Sequence, residues 1–224
     1  MKIKFKKVSK NYGIVSALKK TNFSINDGEF LLLIGPSGAG KSTILKLILG
    51  QIKPSYGQIL INGTIWGNNK KAIDQTRRKI GVIFQDYQLI PDKSIEENIA
   101  LALDIVSYPK NRIQTRIDQV IEQVDLSTRR FLFPSQLSGG ELQRTALARA
   151  LAIEPEVILA DEPTGNLDID NSWKLIKLLK EINKSTGTTI ILATHDLDLI
   201  ESLNTRTISI KNGAIVKDTA KTTK

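Results

Sequence analysis

The sequence contains no cysteine, one histidine and no methionine after the first residue. The lack of cysteine excludes disulfide bonds, thiolate metal sites and a cysteine nucleophile. With one histidine, a multi-histidine metal site is impossible, and a Ser–His–Asp triad could use only His195. Aromatic residues make up 5% of the chain, which is too few for the rows of stacking platforms used to bind single-stranded nucleic acid.

Long hydrophobic runs are also missing. No apolar run reaches the roughly 18 residues that a membrane-spanning helix needs. The first ten residues alternate between polar and apolar types, which is not the pattern of a secretory signal peptide. These features predict a cytoplasmic protein, and we expect any contact with a membrane to come through a partner.

Lysine is the abundant charged residue. The formal net charge is +9, and 23 of the 32 basic residues are lysine. Such an excess can indicate binding to nucleic acid or to an anionic membrane. The basic residues form no single block, and we interpret them as a solvated, lysine-rich surface. The densest groups are Lys2, Lys4, Lys6, Lys7 and Lys10, and then Lys70, Lys71, Arg77, Arg78 and Lys79.

Four continuous apolar runs predict the centre of the fold. Such runs are typical of strands that are buried on both faces, and helical segments lie between them, so they predict a largely parallel α/β sheet. The runs are Phe30–Ile34, Ile80–Phe84, Val157–Ala160 and Thr189–Ala193. Two Asn-Gly pairs, at 62–63 and 212–213, predict β-hairpins.

The segment from about residue 90 to 140 predicts helices. Ser94 and Glu97 have the spacing of a capping box. A second helix is predicted by apolar residues at i, i+4, i+7, i+8 and i+11, which lie on one helical face. These residues are Ile113, Ile117, Val120, Ile121 and Val124. We therefore expect a mostly helical insertion between strands of the sheet.

The glycine-rich segment Gly35–Thr43 fits the phosphate-loop pattern G-x-x-x-x-G-K-[ST]. It follows a predicted buried strand and precedes a predicted helix, as the pattern requires. Its glycines let backbone N–H groups turn onto phosphate oxygens, and the helix adds its positive N-terminal end. Lys41 is predicted to contact the β- and γ-phosphates, and the Ser42 hydroxyl to ligate Mg²⁺.

Two carboxylates, Asp161 and Glu162, follow the third apolar run. At the end of a strand Asp161 can hold Mg²⁺, directly or through water, while Glu162 can polarise the attacking water. Phosphoryl transfer needs both functions because its catalysis is mostly positioning and charge stabilisation. The phosphate loop upstream makes this interpretation much stronger than the pair alone would.

A second predicted helix start lies in Leu137–Arg144, which reads LSGGELQR. Ser138 and Glu141 have capping-box spacing, and a Gly-Gly pair at a helix N-terminus adds a further anion site. One nucleotide needs only one such site, so the second is surplus unless two chains share their sites.

Taken together, these motifs resemble the nucleotide-binding subunit of ABC-type (ATP-binding cassette) ATPases, from Tyr12 to Gly213. LSGGE at Leu137–Glu141 resembles the family signature, with Glu141 where the family often has Gln. The resemblance implies the α/β fold of a P-loop NTPase, with a mostly parallel core sheet, an antiparallel β subdomain and a helical subdomain.

The resemblance also implies one ABC domain over residues 1–224. Residues 1–90 and 141–224 would form the nucleotide-binding core with its β subdomain. Residues 91–140 would form the helical insertion with the signature motif.

Four further positions match the family by order and spacing. Tyr12 resembles the aromatic residue that stacks on adenine. Gln85 resembles the glutamine that contacts Mg²⁺ and the lytic water and senses the membrane partner. Asp168, in Asn166-Leu167-Asp168, resembles the loop that crosses the dimer interface, and His195 resembles the switch histidine near the γ-phosphate.

ATP and Mg²⁺ are the cofactors that the resemblance implies, bound between two copies that pack head to tail as an ATP-dependent homodimer. The implied catalytic residues are Glu162, His195, Gln85 and Lys41. The implied Mg²⁺ ligands are Ser42, Gln85 and Asp161. The implied nucleotide contacts are Tyr12, Gly35, Ser37, Gly38, Ala39, Gly40, Lys41, Ser42, Thr43, Ser138, Gly139, Gly140, Glu141 and Asp168.

Within the family, Asp161–Asp168, Ala39 and Phe84–Asp86 resemble a branch that serves cell division, lipoprotein release and macrolide export, and most of all its cell-division members. That implies an integral membrane partner with four spans, a place on the inner face of the cell membrane, and control of cell-wall hydrolysis and septum formation. No direct contact with nucleic acid is expected.

Three alternatives stay open. The first is the ATPase subunit of a lipoprotein-release or macrolide-type export system. The second is an ABC-type ATPase that acts on DNA or ribosomes, although only 97 residues separate Lys41 from Ser138, with no coiled-coil heptads between them. The third is a non-catalytic ATP-sensing module.

Overall fold

The computed structural model describes residues 1–67, 69–196 and 202–220. The strands are β1 (Ile3–Tyr12), β2 (Val15–Ile25), β3 (Phe30–Ile34), β4 (Tyr56–Ile61), β5 (Thr64–Ile65), β6 (Ile80–Ile83), β7 (Val157–Asp161), β8 (Thr189–Thr194), β9 (Arg206–Lys211) and β10 (Ala214–Asp218). The α-helices are α1 (Lys41–Ile48), α2 (Lys70–Arg77), α3 (Ile95–Ile105), α4 (Ile113–Gln123), α5 (Gly139–Ala152) and α6 (Ile169–Thr186).

The larger sheet has six strands in the order β10-β9-β3-β8-β7-β6. Every neighbouring pair is parallel except β9 and β10, which form an antiparallel hairpin. The four predicted apolar runs are β3, β6, β7 and β8, so the predicted parallel core is confirmed. Ile34 pairs with Thr194 and Asp161 pairs with Ala193, which aligns the carboxyl ends of these strands at one edge.

The smaller sheet is antiparallel, in the order β2-β1-β4-β5. Asn62 and Gly63, with φ of 50° and 83°, turn the chain between β4 and β5. Asn212 and Gly213, with φ of 49° and 73°, do the same between β9 and β10. Two successive positive φ angles match the type I′ hairpin turn, which Asn and Gly adopt at low cost. Both predicted hairpins are confirmed.

The six-stranded sheet separates two hydrophobic cores. Leu32 of β3 packs in the first core with buried residues of α3, α4, α5 and α6. Leu31 and Leu33 point the other way, into a second core shared with α1 and the antiparallel sheet. Alternate residues of one strand thus face opposite layers, which explains why its sequence is apolar throughout.

The helical layer forms as the sequence predicts. Ser94 caps α3: its hydroxyl accepts from the Glu97 N–H, and the Glu97 carboxylate accepts from the Ser94 N–H at 2.8 Å. Ile117, Val120 and Ile121 of α4 are buried. Helix α5 packs against α3, α4 and β6, so it joins this layer to the core sheet. The division at residues 91–140 stays a prediction.

Among the residues that the structure describes, no helix combines the length and the apolar character needed to cross a bilayer.

Candidate active site

The phosphate loop joins β3 to α1. Gly35 has φ of 154°, and Gly40, which precedes the first residue of α1, has φ of 111°. A Cβ atom would lie 2.2 Å from the Ile210 carbonyl oxygen at Gly35 and 2.6 Å from the Ala17 carbonyl oxygen at Gly40. Both positions therefore require glycine, and neighbouring strands hold the loop in place from both sides.

Lys41 is the first residue of α1, and only 4% of it is exposed. Its ammonium group donates to the carbonyl oxygens of Gly35, at 2.6 Å, and Pro36, at 3.2 Å. The same nitrogen lies 3.0 Å from Oε1 of Glu162. The loop thus holds its cation at the carboxyl edge of the sheet, against a carboxylate 121 residues away in sequence.

Asp161 lies beside Ser42, whose hydroxyl donates to Oδ1 of Asp161 at 3.0 Å. Burial raises the pKa of Asp161 above its ordinary value, and the Ser42 hydrogen bond offsets part of that rise. A hydroxyl and a partly buried carboxylate are oxygen donors of the kind Mg²⁺ prefers, with phosphate and water to complete the shell. The described residues contain no cluster of three or more His, Asp or Glu suited to a metal, so a fuller protein cage is absent from them.

Glu162 adopts a φ of 47°, which is uncommon for a residue with a side chain. Its N–H donates to the Ala193 carbonyl oxygen at 2.9 Å, which anchors the turn to β8. Its Oε2 lies 2.8 Å from Nδ1 of His195, while Oε1 contacts Lys41. Glu162 therefore bridges the phosphate loop and the lone histidine. Strained backbone of this kind is often found at functional sites.

Gln85 follows β6 and lies beside the turn after β7. The Asn166 amide donates to the Gln85 carbonyl oxygen at 2.8 Å. A Cβ atom at Gly165 would lie 3.2 Å from the Gln85 amide nitrogen, so a larger residue would press on it. The two segments predicted to contact Mg²⁺ and to cross the dimer interface are thus held together.

The signature segment begins α5. Ser138 caps the helix, and the Glu141 carboxylate accepts from the Ser138 N–H and hydroxyl, both at 2.8 Å. These bonds lower the pKa of Glu141, and Arg129, at 3.0 Å, adds to the effect. The predicted capping box is confirmed. Gly139 lies close to the Tyr87 hydroxyl, which places the helix start beside the segment after β6.

Two predicted site residues lie apart from Lys41 and Glu162. Tyr12 ends β1 with 47% of its surface exposed, and the Lys10 ammonium lies 5.1 Å from its ring centre. Asp168 caps α6, and its carboxylate accepts from the Asn171 N–H at 2.8 Å, which lowers its pKa. Neither contacts the Lys41–Glu162 pair among the hydrogen bonds and ring contacts of the described residues.

Arg149 is a residue that the motifs did not predict. From α5 it donates to the carbonyl oxygens of Gln88, at 2.5 Å, and Tyr87, at 2.9 Å. Burial lowers the pKa of this guanidinium. Tyr87 and Gln88 both have positive φ, 60° and 47°. The sequence could have identified this residue, since it is an arginine between two alanines in a predicted helix. A charge buried on such a helix needs hydrogen-bond or ion-pair partners.

The sequence matches the family model described as ABC transporter over residues 18–165. The cell division ATP-binding protein FtsE of Bacillus subtilis is 45% identical over 218 residues, which cover 96% of this chain and 95% of that protein. FtsE of Streptococcus pneumoniae strain D39 is 43% identical, covering 92% and 90%. The methionine import ATP-binding protein MetN 1 of Listeria monocytogenes serovar 1/2a is 40% identical, covering 96% of this chain and 65% of its own length.

Solved structures agree with these matches. The dimeric structure of a bacterial ABC transporter cassette aligns with a TM-score of 0.88 at 36% identity, covering 96% of this chain and 97% of that one. A dimeric, post-hydrolysis ATP-binding cassette bound to ADP and Pi aligns with a TM-score of 0.87 at 35% identity, covering 96% and 97%. The expected P-loop fold, with its parallel core, antiparallel sheet and helical layer, is confirmed. The chain belongs to the ABC transporter family as an ATP-binding cassette subunit, most like FtsE.

Proposed function

We propose that the protein hydrolyses ATP. The observation that carries this proposal is the position of Glu162, which contacts Lys41 on one side and His195 on the other, next to the Ser42–Asp161 pair. Lys41 binds the phosphates as a cation fixed by the loop. Glu162 orients the attacking water and accepts its proton, and His195 steadies the terminal phosphate.

Ser42 and Asp161 fit Mg²⁺ because they place a hydroxyl and a partly buried carboxylate side by side, and burial raises the pKa of Asp161 when no cation is bound. A bound cation would remove the cost of the buried carboxylate by pairing with its charge. Mg²⁺ would supply charge neutralisation at the phosphates. Gln85, in the segment after β6, lines the same cavity as Asp161.

We propose that two chains assemble head to tail around ATP. Helix α5 begins with Gly139 and Gly140, and its N-terminus is a second site that can bind an anion. In this arrangement Ser138 and Gly140 contact the nucleotide held by the other chain, and Asp168 lies at the interface. The dimeric cassettes among the similar structures support this assembly.

The cellular role that we propose is that of FtsE, acting with the membrane protein FtsX to control cell-wall hydrolysis and septum formation. The names and the high coverage of the FtsE relatives support it. In this role the protein lies on the inner face of the cell membrane and moves no substrate itself.

We propose that the membrane partner binds in a groove of about 600 Å³ between β6, α2, α3 and α5. Its wall combines apolar side chains such as Phe84, Leu101 and Ile105 with Gln88 and Arg149. Arg149 links this groove to the segment after Gln85, so a partner seated here would sense the nucleotide state.

Co-expression with the adjacent membrane-protein gene would test the role. We expect a four-span partner with an external domain to co-purify and to alter ATP turnover, while Glu162→Gln keeps the complex and loses turnover. Co-purification with a lipoprotein-release or macrolide-export membrane subunit would instead identify the alternative system. Turnover that is identical in the wild type and Glu162→Gln would contradict the proposed hydrolysis.

A further inference from the structure

The solvent side of the small sheet carries lysine and no acidic residue. Strands β1, β2 and β4 contain neither Asp nor Glu along their whole length. Their inward residues are buried in the second core, so the sheet is one-sided. The outward residues, all exposed, include Lys4, Lys6, Lys7, Lys20, Asn22, Tyr56 and Gln58. The pairing of β1 with β2 brings lysines of both strands together, so their concentration here results from the fold.

A β-bulge at Lys7 adds one more lysine to this side. Lys7 has φ of 52°, and the pairing of β1 shifts register here against both neighbouring strands. The Lys7 N–H donates to Oδ1 of Asn22 at 2.8 Å, and a Cβ atom at Gly57 would lie 2.2 Å from the Lys7 carbonyl oxygen. The bulge is therefore held from both sides. It makes Lys6 and Lys7 successive exposed residues, where the strand alternates between buried and exposed residues from Ile3 to Lys6.

The lysines surround a shallow depression of about 690 Å³. Its wall consists of Lys4, Lys6, Lys7, Asn22, Tyr56, Gly57 and Gln58. The Lys20 ammonium lies 5.7 Å from the centre of the Tyr56 ring, so it adds a further cation at the rim. Among the ion pairs of the described residues, none involves these four lysines. An external anionic surface would supply the counter-charge that these lysines lack among those ion pairs.

We propose that this lysine face, defined by Lys4, Lys6, Lys7 and Lys20, docks on the anionic headgroups of a lipid bilayer. Ammonium groups suit phosphodiester headgroups as compact point charges, and each lysine near such a surface adds measurable affinity. Nucleic acid fits less well. The three strands contain no arginine, the usual residue for bidentate phosphate and base contacts, and the depression has one aromatic side chain, Tyr56.

The position of the face agrees with a membrane-side location. A cavity of about 730 Å³ includes Met1 and Asn62, beside the first residues of β1. It shares Arg78 and Val106 with the groove proposed for the membrane partner. This cavity extends from the groove to Ile61, which follows Leu60, the pairing partner of Lys4. The proposed binding to the bilayer differs from the expectation that membrane contact comes only through a partner, and it depends neither on the proposed partner nor on ATP hydrolysis.

Vesicle sedimentation tests the proposal with the full chain and no membrane partner. The wild type should bind vesicles of phosphatidylcholine and phosphatidylglycerol in equal parts, and not vesicles of phosphatidylcholine alone. The triple variant Lys4→Gln, Lys6→Gln, Lys7→Asn should bind about a hundredfold more weakly. Asn is chosen at position 7 because it tolerates positive φ. Raised salt should weaken wild-type binding, since the contacts are exposed charges.

A matched control removes the same net charge elsewhere. Lys177→Gln, Lys184→Gln and Lys217→Gln change exposed lysines on α6 and β10. This control should keep vesicle affinity within about threefold, because contact with the bilayer, and not total charge, is the cause. ATP turnover should match the wild type in both variants. Equal losses in the two triple variants, or wild-type binding to neutral vesicles, would overturn the proposal. The proposal would also be overturned if the wild type shifted DNA in a gel but did not bind vesicles, and if the Lys4, Lys6 and Lys7 variant lost the DNA shift.

Discussion

Nδ1 of His195 lies 2.8 Å from Oε2 of Glu162, although 33 residues separate them in sequence. Asp161 pairs with Ala193 across β7 and β8, so Glu162, which follows β7, and His195, which follows Thr194 at the end of β8, leave the sheet at the same edge. The other oxygen of Glu162 contacts Lys41. One carboxylate thus links the cation of the phosphate loop with the only imidazole of the protein, and it is the point at which hydrolysis can be blocked most cleanly.

We expect Glu162→Gln to reduce ATP turnover by at least about a hundredfold, because an amide cannot accept the proton of the attacking water. Nucleotide binding should persist, since the amide has the same shape. The ATP-bound dimer should then accumulate, and gel filtration with ATP would detect it. Only monomer in the presence of ATP, together with unchanged turnover, would refute this prediction.

His195 offers a selective chemical test because the chain has no second histidine and no cysteine. Its side chain is exposed enough for diethyl pyrocarbonate to reach it. Modification should reduce turnover about a hundredfold, as should His195→Gln, through loss of a group that stabilises transition-state charge. Absorbance of the modified imidazole measures the reaction. Bound ATP should slow the modification. The reagent should cause no further loss of turnover in the His195→Gln variant, and a further loss there would assign the effect to another residue.

Arg149→Ala should both destabilise the fold and lower turnover. The substitution removes a charged hydrogen-bond donor from the carbonyl oxygens of Tyr87 and Gln88. This loss should lower the free energy of unfolding by about 2–3 kcal/mol. Turnover should fall because the segment that carries Gln85 loses its anchor, while the affinity for ATP should change little. Urea unfolding and nucleotide titration separate the two effects.

Arg116→Ala is the matched control for Arg149. Arg116 donates to the carbonyl oxygens of Leu151, at 2.7 Å, and Ala152, at 3.0 Å, at the C-terminal end of α5. Its loss should cost similar stability and leave turnover intact in the folded protein. An equal fall in turnover for both variants would mean that Arg149 acts only through stability.

Asp161→Asn should stabilise the nucleotide-free protein at neutral pH. Because burial raises the pKa of Asp161 in the folded state above its unfolded value of 3.8, the folded protein binds this proton more tightly. The wild type therefore loses stability as the pH rises from 3.8 through the folded pKa, and the variant does not. Urea unfolding at several pH values should show that the difference in the free energy of unfolding between the variant and the wild type becomes smaller as the pH falls. Turnover with Mg²⁺ should collapse in the variant, and a variant less stable at pH 7 would contradict this explanation.

Much of the fold follows from residues that are close in sequence. The apolar runs predict the parallel strands because both faces of those strands are covered. Asn-Gly pairs predict the two hairpins because they tolerate positive φ, and Ser94 and Ser138 predict two helix starts because their hydroxyls cap free N–H groups. The phosphate loop and the carboxylates after β7 are recognisable for the same reason, since each motif is a local arrangement of backbone and side chains.

The contacts between motifs were decided by the tertiary structure. Strand order places Glu162 between Lys41 and His195, and no local pattern encodes which strands become neighbours. The role of Arg149 as an anchor depends on how α5 packs beside the segment after β6. Lys4, Lys6, Lys7 and Lys20 look like ordinary surface charge in sequence. The antiparallel pairing and the bulge at Lys7 place them on one exposed face, where they form no ion pair with the part of the chain that the structure describes, because sheet register determines which side chains share a side.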